Sequence, residues 1–458
     1  MIDFNNIRHI HCIGIGGIGL SAIAEILLNR GYTVSGSDMK ESEIVDKLIK
    51  KGAIVYLGHR DRNVEGADLV VYSAAVGEAN PEMVRARELE IPCVTRGEML
   101  GRLMEEYENS IAVSGTHGKT TTTSMISLIL ERAKLDPTIL VGGNLGEIGG
   151  NARVGASEYF ITEACEYMDS FLSLRPKMEI ILNIDSDHLD YFKDIDHIVR
   201  SFKEFASYVP KDGKIIAYDA NPFVHNATED IANLISFGYG RGCDYSIYGV
   251  NFGESGFPSF GIRHKGEDIA HLTLKVPGEH NILNALAAFA CANELGVPVD
   301  TIVSTLEDFK GTARRFDVVG MTAKGVTVVD DYAHHPTEIK ATLAAARRLP
   351  HKSLWCLFQP HTYTRTRALM EEFADSFTDA DRVVFADIYA AREKNIHGVS
   401  SQDLLDMLKR KHPDAAASYL PGFAEISDFV NSHAEPGDLV ITMGAGDIYK
   451  VGEMLLEM

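Results

Sequence analysis

Lys119 stands between a glycine and four threonines in the run Ser110-Ile-Ala-Val-Ser-Gly-Thr-His-Gly-Lys-Thr-Thr-Thr-Thr123. Ile111-Ala-Val113 reads as a short buried strand and Gly115-Thr116-His117-Gly118 as a tight loop. Thr120 then opens a helix in which Met125, Leu128, Ile129 and Leu135 recur near helical spacing. A strand, a glycine-rich turn and a helix start make a cradle for phosphate. Backbone N–H groups point at the anion, Lys119 adds a mobile positive charge, and a hydroxyl at Thr120 can ligate Mg²⁺. The common pattern has a glycine five residues before the Gly-Lys pair, where this chain has Val113.

A second glycine-rich turn lies near the N-terminus, in Ile7-Arg-His-Ile-His-Cys-Ile-Gly-Ile-Gly-Gly-Ile-Gly19. Gly14, Gly16 and Gly19 form G-x-G-x-x-G directly after an apolar strand, with Gly17 and Ile18 inside the turn. Leu20, Ile23, Ile26 and Leu27 give the helix stripe that follows. Tyr32 to Ser35 reads as a second strand, and Asp38 comes 19 residues after Gly19. This is the layout of a turn that binds a dinucleotide, in which the acid holds a ribose hydroxyl. It points to a nucleotide-like diphosphate without saying which, and by itself leaves a nicotinamide-dependent dehydrogenase open.

Other candidates stand at strand ends. Tyr159-Phe-Ile-Thr-Glu163 and Ile180-Ile-Leu-Asn-Ile-Asp185 are apolar runs ending in acids, with Asp187 and His188 just beyond. In an open α/β sheet ligands gather at the carboxyl ends of strands, so Glu163, Asp185, Asp187 and His188 are expected near the phosphate loop. Glu163 and His188 are metal candidates, Glu163 the better match to Mg²⁺, which prefers oxygen. His334-His335 lacks a third ligand at fixed spacing and reads as a substrate contact or a loop before the helix opened by Pro336. Arg314, Arg315, Arg365 and Arg367 are candidate anion contacts, with Arg367 the weakest. Cys165 reads as a buried thiol.

The elements that must position these groups fall into three segments. The first, 1–106, alternates strands and helices and reads as a doubly wound, Rossmann-like α/β domain. The second, 107–312, holds the phosphate loop in a mostly parallel sheet, with a small antiparallel portion expected between Lys214 and Val276 and a helix beginning at Pro277. The third, 313–458, is a further Rossmann-like domain whose strands at Val326–Val329, Leu354–Phe358, Val383–Asp387 and Leu439–Thr442 end in polar loops. The fold class is α/β with three domains, as 458 residues require more than one core. A net charge of −21 argues against nucleic acid or anionic membrane as a partner, and means that an acidic substrate must meet local cations. The six cysteines are scattered without a C-x-x-C pair, so no disulfide framework or zinc site is signalled. The N-terminus shows no leader pattern and no apolar run is long enough to span a bilayer, so the economical reading is cytoplasmic.

Taken in order, the motifs resemble those of the ATP-dependent Mur ligases of peptidoglycan synthesis. The resemblance runs over nearly the whole chain. It is carried by His11-Cys-Ile-Gly-Ile-Gly-Gly-Ile-Gly19 through Ala24, Gly115 to Thr121, Asn183 with His188, Gly278-Glu-His-Asn-Ile-Leu-Asn284, Arg314-Arg-Phe316, Asp330-Asp-Tyr-Ala-His-His-Pro-Thr-Glu338, Gln359-Pro-His361 and Met443-Gly-Ala-Gly-Asp447. It implies ATP-dependent joining of L-alanine to the lactyl carboxylate of UDP-N-acetylmuramate through an acyl phosphate, with Mg²⁺ or Mn²⁺, by a monomer or homodimer. A tripeptide ligase on the same sugar nucleotide is the alternative. The resemblance further implies that Gly14, Gly16, Gly17, Ile18, Gly19, Asp38 and Ser73 hold the UDP part. Gly115 to Thr121, Asn281, Asn284, Arg315 and Asp331 would form the ATP site. Lys119, Glu163 and His188 would be catalytic, Thr120 with Glu163 would hold one Mg²⁺, and His188 would help at a second metal. His334, His335 and Arg365 would face the sugar-lactyl group and the amino acid. The chain departs from the family pattern at Cys165, where many members have Asp, and at Thr362, where many have Arg. Lys193 and Lys203 lie where some relatives carry a carbamylated lysine, and neither is assigned.

Overall fold

The computed structural model describes residues 4–73, 75–188, 191–396 and 398–458. Among these the chain forms three sheets of five, ten and six strands, in chain order. The first contains β1 (His9–Ile13), β2 (Thr33–Asp38), β3 (Ile54–Leu57), β4 (Leu69–Tyr72) and β5 (Cys93–Thr95), all parallel, in the order β3-β2-β1-β4-β5.

The second contains β6 (Asn109–Ser114), β7 (Thr138–Leu145), β8 (Gly150–Arg153), β9 (Tyr159–Glu163), β10 (Met178–Ile181), β11 (Lys214–Tyr218), β12 (Leu234–Gly238), β13 (Tyr245–Asn251), β14 (Ser259–His264) and β15 (Glu267–Thr273). Its order is β15-β14-β13-β12-β11-β10-β6-β9-β7-β8. The third contains β16 (Asp317–Met321), β17 (Thr327–Asp331), β18 (Leu354–Phe358), β19 (Arg382–Phe385), β20 (Ala417–Tyr419) and β21 (Leu439–Met443), in the order β16-β17-β21-β18-β19-β20.

Both glycine-rich turns follow a strand at a switch point. β1 has β2 on one side and β4 on the other, and β6 lies between β9 and β10. There the chain diverges to both sides and leaves a crevice at the strand ends. β6 is covered on both faces, which is why its sequence is a continuous apolar run. Ile111 and Val113 pack with Ile126 and Ile129 on one face, and Ala112 joins Phe160 and Phe202 on the other.

The first and second segments are joined by close backbone packing. A Cβ on Gly101 would lie 2.1 Å from Ser173 O, and one on Gly97 2.9 Å from Ser170 O. Those glycines let the helix Arg96–Met104 rest on residues 167–173.

Several expectations need correction. The antiparallel portion does not begin at Lys214. β11, β12 and β13 continue the parallel sheet, and within this stretch the antiparallel pairs are only β13 with β14 and β14 with β15, successive strands joined directly. The antiparallel pairs β7 with β8 and β16 with β17 were not anticipated, and both sit at sheet edges. The helix after the phosphate loop begins at Lys119 rather than Thr120, and the later one at Glu279, with Gly278 rather than Pro277 at its cap.

Candidate active site

The phosphate loop is shaped by two glycines and one asparagine. Gly115 and Gly118 have φ of 133° and 87°, and a Cβ on Gly118 would meet Asn284 Oδ1 at 2.5 Å. Asn183, at the end of the neighbouring strand, clamps the loop. Its Oδ1 accepts from His117 N at 2.8 Å and its Nδ2 donates to His117 O at 2.9 Å. The helix Lys119–Arg132 has no side-chain cap, so its first N–H groups face the crevice, as an anion requires. Lys119 Nζ donates to Gly115 O, to Thr116 O at 3.1 Å and to Glu166 Oε2 at 2.8 Å. Burial disfavours its charge, but the buried Glu166 carboxylate outweighs that and raises its pKa.

Glu163 ends β9, paired with Val113 on β6. Its Oε1 accepts from Gly142 N at 2.5 Å. Gly143 packs on Thr120, since a Cβ there would lie 3.1 Å from Thr120 Cγ2. The two glycines of β7 thus hold the Glu163 carboxylate and Thr120 on one stretch of backbone.

A cavity of about 420 Å³ opens beside the loop, lined by His117, Gly118, Thr121, Asn281, Asn284, Arg315 and Asp331 together with apolar side chains such as Phe237 and Phe309. Asn281 Nδ2 donates to Pro277 O at 2.7 Å, and Asn284 Nδ2 to Asn281 Oδ1 at 3.0 Å. Burial pushes Asp331 up to about 6 against the pull of Arg315.

The loop 183–188 walls this cavity on one side and borders a second, of about 300 Å³, on the other. The second is lined by Tyr167, Asp187, His188, His361, Arg365 and Arg392 among others. A third cavity, of about 550 Å³, follows the first glycine-rich turn. It is lined by Gly14, Gly17, Ile18, Gly19, Asp38 and Ser73, with His59 and Arg96 from elsewhere, and shares Tyr167 and Arg392 with the second. Gly16 does not line it. Its N–H donates to Asp38 Oδ2 at 2.9 Å, and a Cβ there would meet that oxygen at 2.8 Å. Asp38 therefore braces the turn itself.

Three family models match the chain in sequence: the Mur ligase family catalytic domain over residues 9–108, the Mur ligase middle domain over 113–292, and the Mur ligase glutamate ligase domain over 314–446. The chain belongs to the Mur ligase family. A relative from Alkaliphilus metalliredigens, named UDP-N-acetylmuramate–L-alanine ligase, is 52% identical over 456 residues, 99% of this chain and 98% of the relative. One of the same name from Caldanaerobacter subterraneus is 50% identical over 458 residues, 100% and 99% of the two chains. Among solved structures, a UDP-N-acetylmuramate-alanine ligase from Thermotoga maritima superposes with a TM-score of 0.83 at 28% identity, covering 99% of both chains. A murein peptide ligase from Psychrobacter arcticus superposes with 0.74 at 26% identity, covering 98% of both.

In this Mur ligase the start of the helix Pro336–Arg347 docks on the loop 183–188. His117 lies between two acids, with Nδ1 3.1 Å from Glu338 Oε1 and Nε2 3.4 Å from Asp185 Oδ2. The second is an ion-pair distance without hydrogen-bond alignment. Burial lowers the His117 pKa, but the two carboxylates outweigh it and raise it to about 9, so the ring is charged at neutral pH. Thr337 Oγ1 donates to Asp185 Oδ2 at 2.9 Å. Arg365 reaches Asp187 Oδ1 through Nη2 at 2.9 Å and Nε at 3.1 Å.

His335 caps its helix. Nδ1 accepts from Thr337 N at 3.3 Å, so Nε2 carries the proton it donates to Ser186 O at 3.0 Å. Burial lowers its pKa, in keeping with that neutral tautomer. His334 Nδ1 is 3.0 Å from Tyr332 O, and burial pushes its pKa down to about 3.

The expected sites are therefore only partly assembled. Thr120 and Glu163 both approach the Gly142–Gly143 backbone, Thr120 through its methyl group and Glu163 through its carboxylate, and a hydroxyl with a carboxylate is the kind of oxygen donor set that fits Mg²⁺. His188, expected at a second metal, lines the second cavity, with its ring tilted against that of Tyr167 at 4.7 Å and Glu166 (3.8 Å) and Asp187 (3.9 Å) as its acidic neighbours.

The geometric candidate for a metal cluster among the described residues is His117, Asp185 and His335, with ligand atoms within 4.8 Å of one another. A charged His117 and a His335 with both nitrogens engaged leave it no imidazole donor. Arg314 is not available to an anion, because it pairs with Asp330 at 2.9 Å and donates to Gly444 O. Arg367 is exposed on a short helix. Lys203 pairs with Glu229 and Asp230. Glu166, Glu338, His59, Arg96 and Arg392 were missed. Glu166 stands three residues from a chosen acid, and the rest are joined to the site only by the tertiary fold.

Proposed function

We propose that the protein joins L-alanine to the lactyl carboxylate of UDP-N-acetylmuramate at the expense of ATP, in cytoplasmic synthesis of peptidoglycan precursors. The observation that carries this reading is the series of three cavities. The phosphate-loop cavity and the second cavity share the 183–188 loop as a wall, and the second and third share Tyr167 and Arg392. That series suits ATP at one end, a sugar nucleotide at the other, and the reacting carboxylate between. Full-length identity of about half to relatives named for this reaction supports the choice of substrates. Residues 1–106, 107–312 and 313–458 are read as three domains, each contributing one wall.

The reaction follows from what the side chains can do. The lactyl carboxylate attacks the γ-phosphorus of ATP and ADP leaves. The amine of L-alanine then attacks the acyl phosphate, and phosphate leaves. The first step brings a carboxylate against a triphosphate, and the repulsion is offset by the charged Lys119 and by N–H groups of the loop. Mg²⁺ or Mn²⁺ held by Thr120 and Glu163 would supply further positive charge at the phosphates. Arg315 and Asp331, from the third segment, meet the nucleotide in the same cavity as Asn281 and Asn284. His361, pushed down to about 4 chiefly by burial, and His334 are neutral at pH 7, so they offer the incoming amino acid hydrogen bonds without charge. Holding the reactants together contributes about 7–11 kcal/mol of barrier reduction in such systems.

The test is ADP release from ATP with UDP-N-acetylmuramate and a panel of L-alanine, L-serine, glycine and the tripeptide L-alanyl-γ-D-glutamyl-meso-diaminopimelate. Stimulation by L-alanine well above the others is expected. Stimulation by the tripeptide alone would overturn the choice of amino acid.

A further inference from the structure

His59, in the wall of the third cavity, is backed by a buried carboxylate. Glu82 stands in the first turn of the helix Pro81–Glu88 and is fully buried. Its Oε2 accepts from Ser37 Oγ at 2.6 Å and lies 3.1 Å from His59 Nδ1. Its Oε1 accepts from Asn63 Nδ2 at 2.5 Å and from Arg60 N at 3.4 Å. We propose that His59 binds the nucleoside of the sugar nucleotide, its Nε2 accepting a hydrogen bond, and that Glu82 is the residue that positions it. The inference rests on the reading that the substrate is a uridine nucleotide.

The cluster fixes which ring nitrogen can serve. Burial alone would raise the Glu82 pKa, but the polar side chains around it outweigh that, His11 first with Nε2 at 3.8 Å from Oε1, and lower it to about 2. At neutral pH Glu82 is a carboxylate and can only accept, so His59 Nδ1 carries the proton that points at it. Ser37 Oγ, whose hydrogen goes to Glu82, faces the same nitrogen at 2.9 Å. In the neutral ring Nε2 is left with a lone pair, and it has no partner among the described residues. The His59 side chain is 19% exposed and that of Glu82 0%, so the ring carries the cluster to the cavity. Of the groups bonded to Glu82, His59 is the one that lines it.

Position supports the same role. Asp38 is the acid expected to hold a ribose hydroxyl, yet both of its oxygens accept from backbone, Oδ2 from Gly16 N at 2.9 Å and Oδ1 from Lys40 N at 3.3 Å. His59 lies just past the end of β3, as Asp38 ends β2, and Gly58 N ties the two strand ends by donating to Asp38 O at 2.7 Å. The acceptor at His59 therefore stands one strand further along the same edge of the sheet, at the carboxyl ends where an open α/β sheet takes its ligand. Burying a carboxylate is costly, and apolar side chains in its place are often at least as stable. Glu82 is better explained by what it holds at the cavity than by the stability of the fold.

Calorimetric binding of UDP-N-acetylmuramate, with ATP as the control ligand, tests both residues. His59→Asn places an amide nitrogen where Nδ1 stood and nothing where Nε2 stood. It should weaken UDP-N-acetylmuramate about tenfold, the loss of one hydrogen bond, and leave ATP binding alone. His59→Gln offers an amide oxygen near the place of Nε2 and should recover part of the affinity. In Glu82→Gln the amide oxygen must face Asn63 and Arg60, so its nitrogen faces His59 Nδ1 and drives the ring proton to Nε2. The acceptor becomes a donor, and a loss of about tenfold is again expected. Combined with His59→Asn it should add no further loss, because Glu82 acts through the ring. ATP binding by each variant reports an intact fold, and the two His59 variants test the contact independently of Glu82→Gln.

UDP, 2′-deoxy-UDP, 3′-deoxy-UDP and CDP separate the donors that a uridine offers, its two ribose hydroxyls and the N–H of its base. The ratio of wild-type to His59→Asn affinity should fall to one for the analogue that lacks the donor in use. An equal ratio above one for all four would overturn the contact. So would wild-type affinity in His59→Asn, since the ring would then only satisfy Glu82. Losses that add in the double variant would overturn positioning by Glu82. A wild-type protein that binds neither UDP-N-acetylmuramate nor UDP would instead overturn the functional reading.

Discussion

The glycine-rich turn after β1 and the one after β6 share a backbone plan and differ in their electrostatics. Both follow a strand with a parallel neighbour on each side, and both lead into a helix whose start has no side-chain cap. The turn Gly14–Gly19 contains no charged residue. Its stiffness comes from Asp38, which binds Gly16 N, and its cation is Arg96, from a helix far along the chain. The turn Gly115–Lys119 contains its own lysine and histidine, both half-buried against carboxylates. A diphosphate that only has to be held needs backbone donors and one external cation. A phosphate that changes hands needs a charge kept inside the loop, with a counter-carboxylate to hold it ready.

The largest expected effect tests that contrast directly. Lys119→Ala should lower kcat at least about a thousandfold, as loss of a positioned charge at a transferring phosphoryl group does. Binding of UDP-N-acetylmuramate should persist, because the first turn does not use Lys119. Near-normal turnover would show that the second turn works like the first, by backbone alone.

The next effect concerns pH, since a titrating side chain belongs to the second turn and not to the first. His117 has an ordinary value of 6.5 and about 9 in the folded chain. A raised folded value means that its contribution is complete below 6.5 and is lost as pH rises through 9, on the order of 3 kcal/mol in all. The groups facing it are Asp185, Glu338 and His335. Glu179, pushed up to about 8 by burial, also loses stability as pH rises, between 4.5 and 8. The measurement is therefore a difference. The melting temperature of wild type minus that of His117→Gln should shrink by a few degrees from pH 6.5 to 9. Parallel curves for the two proteins would remove the charged latch.

The sequence was most legible where chemistry depends on neighbours along the chain. The turn from Gly115 to Thr121 could be read because strand, loop, lysine and hydroxyl are consecutive, and Glu163 because it ends an apolar strand. His188 was read as a ligand at a second metal from its place after a strand; the left-handed backbone at that residue, φ 53°, and the ring 4.7 Å from that of Tyr167 are features that spacing alone does not show. Arg314 looked like an anion contact and instead braces β17 against the loop after β21, a partnership across 16 residues on one side and 130 on the other. The same limit applied to strand direction. The apolar runs of β11 and β12 read as antiparallel because their glycine-broken spacing looked like hairpins, and only the helix Pro222–Thr228 between them shows the crossover that makes them parallel.

Arg96 is the smallest and sharpest test of the comparison. It is the first residue of a helix capped by Thr95 and Glu98 in a capping box, so its backbone position is set independently of any ligand. Its side chain crosses Gly19, where a Cβ would lie 3.1 Å from both Cδ and Nη1. Gly19 is thus needed to let an external guanidinium reach the start of the first helix. If that guanidinium is the missing charge of the first turn, Arg96→Ala should raise the KM for UDP-N-acetylmuramate about tenfold and leave the KM for ATP unchanged. Gly19→Ala should produce the same selective loss by pushing Arg96 aside. Equal rises in both Michaelis constants would mean that Arg96 supports the packing between segments rather than supplying the charge of the first turn.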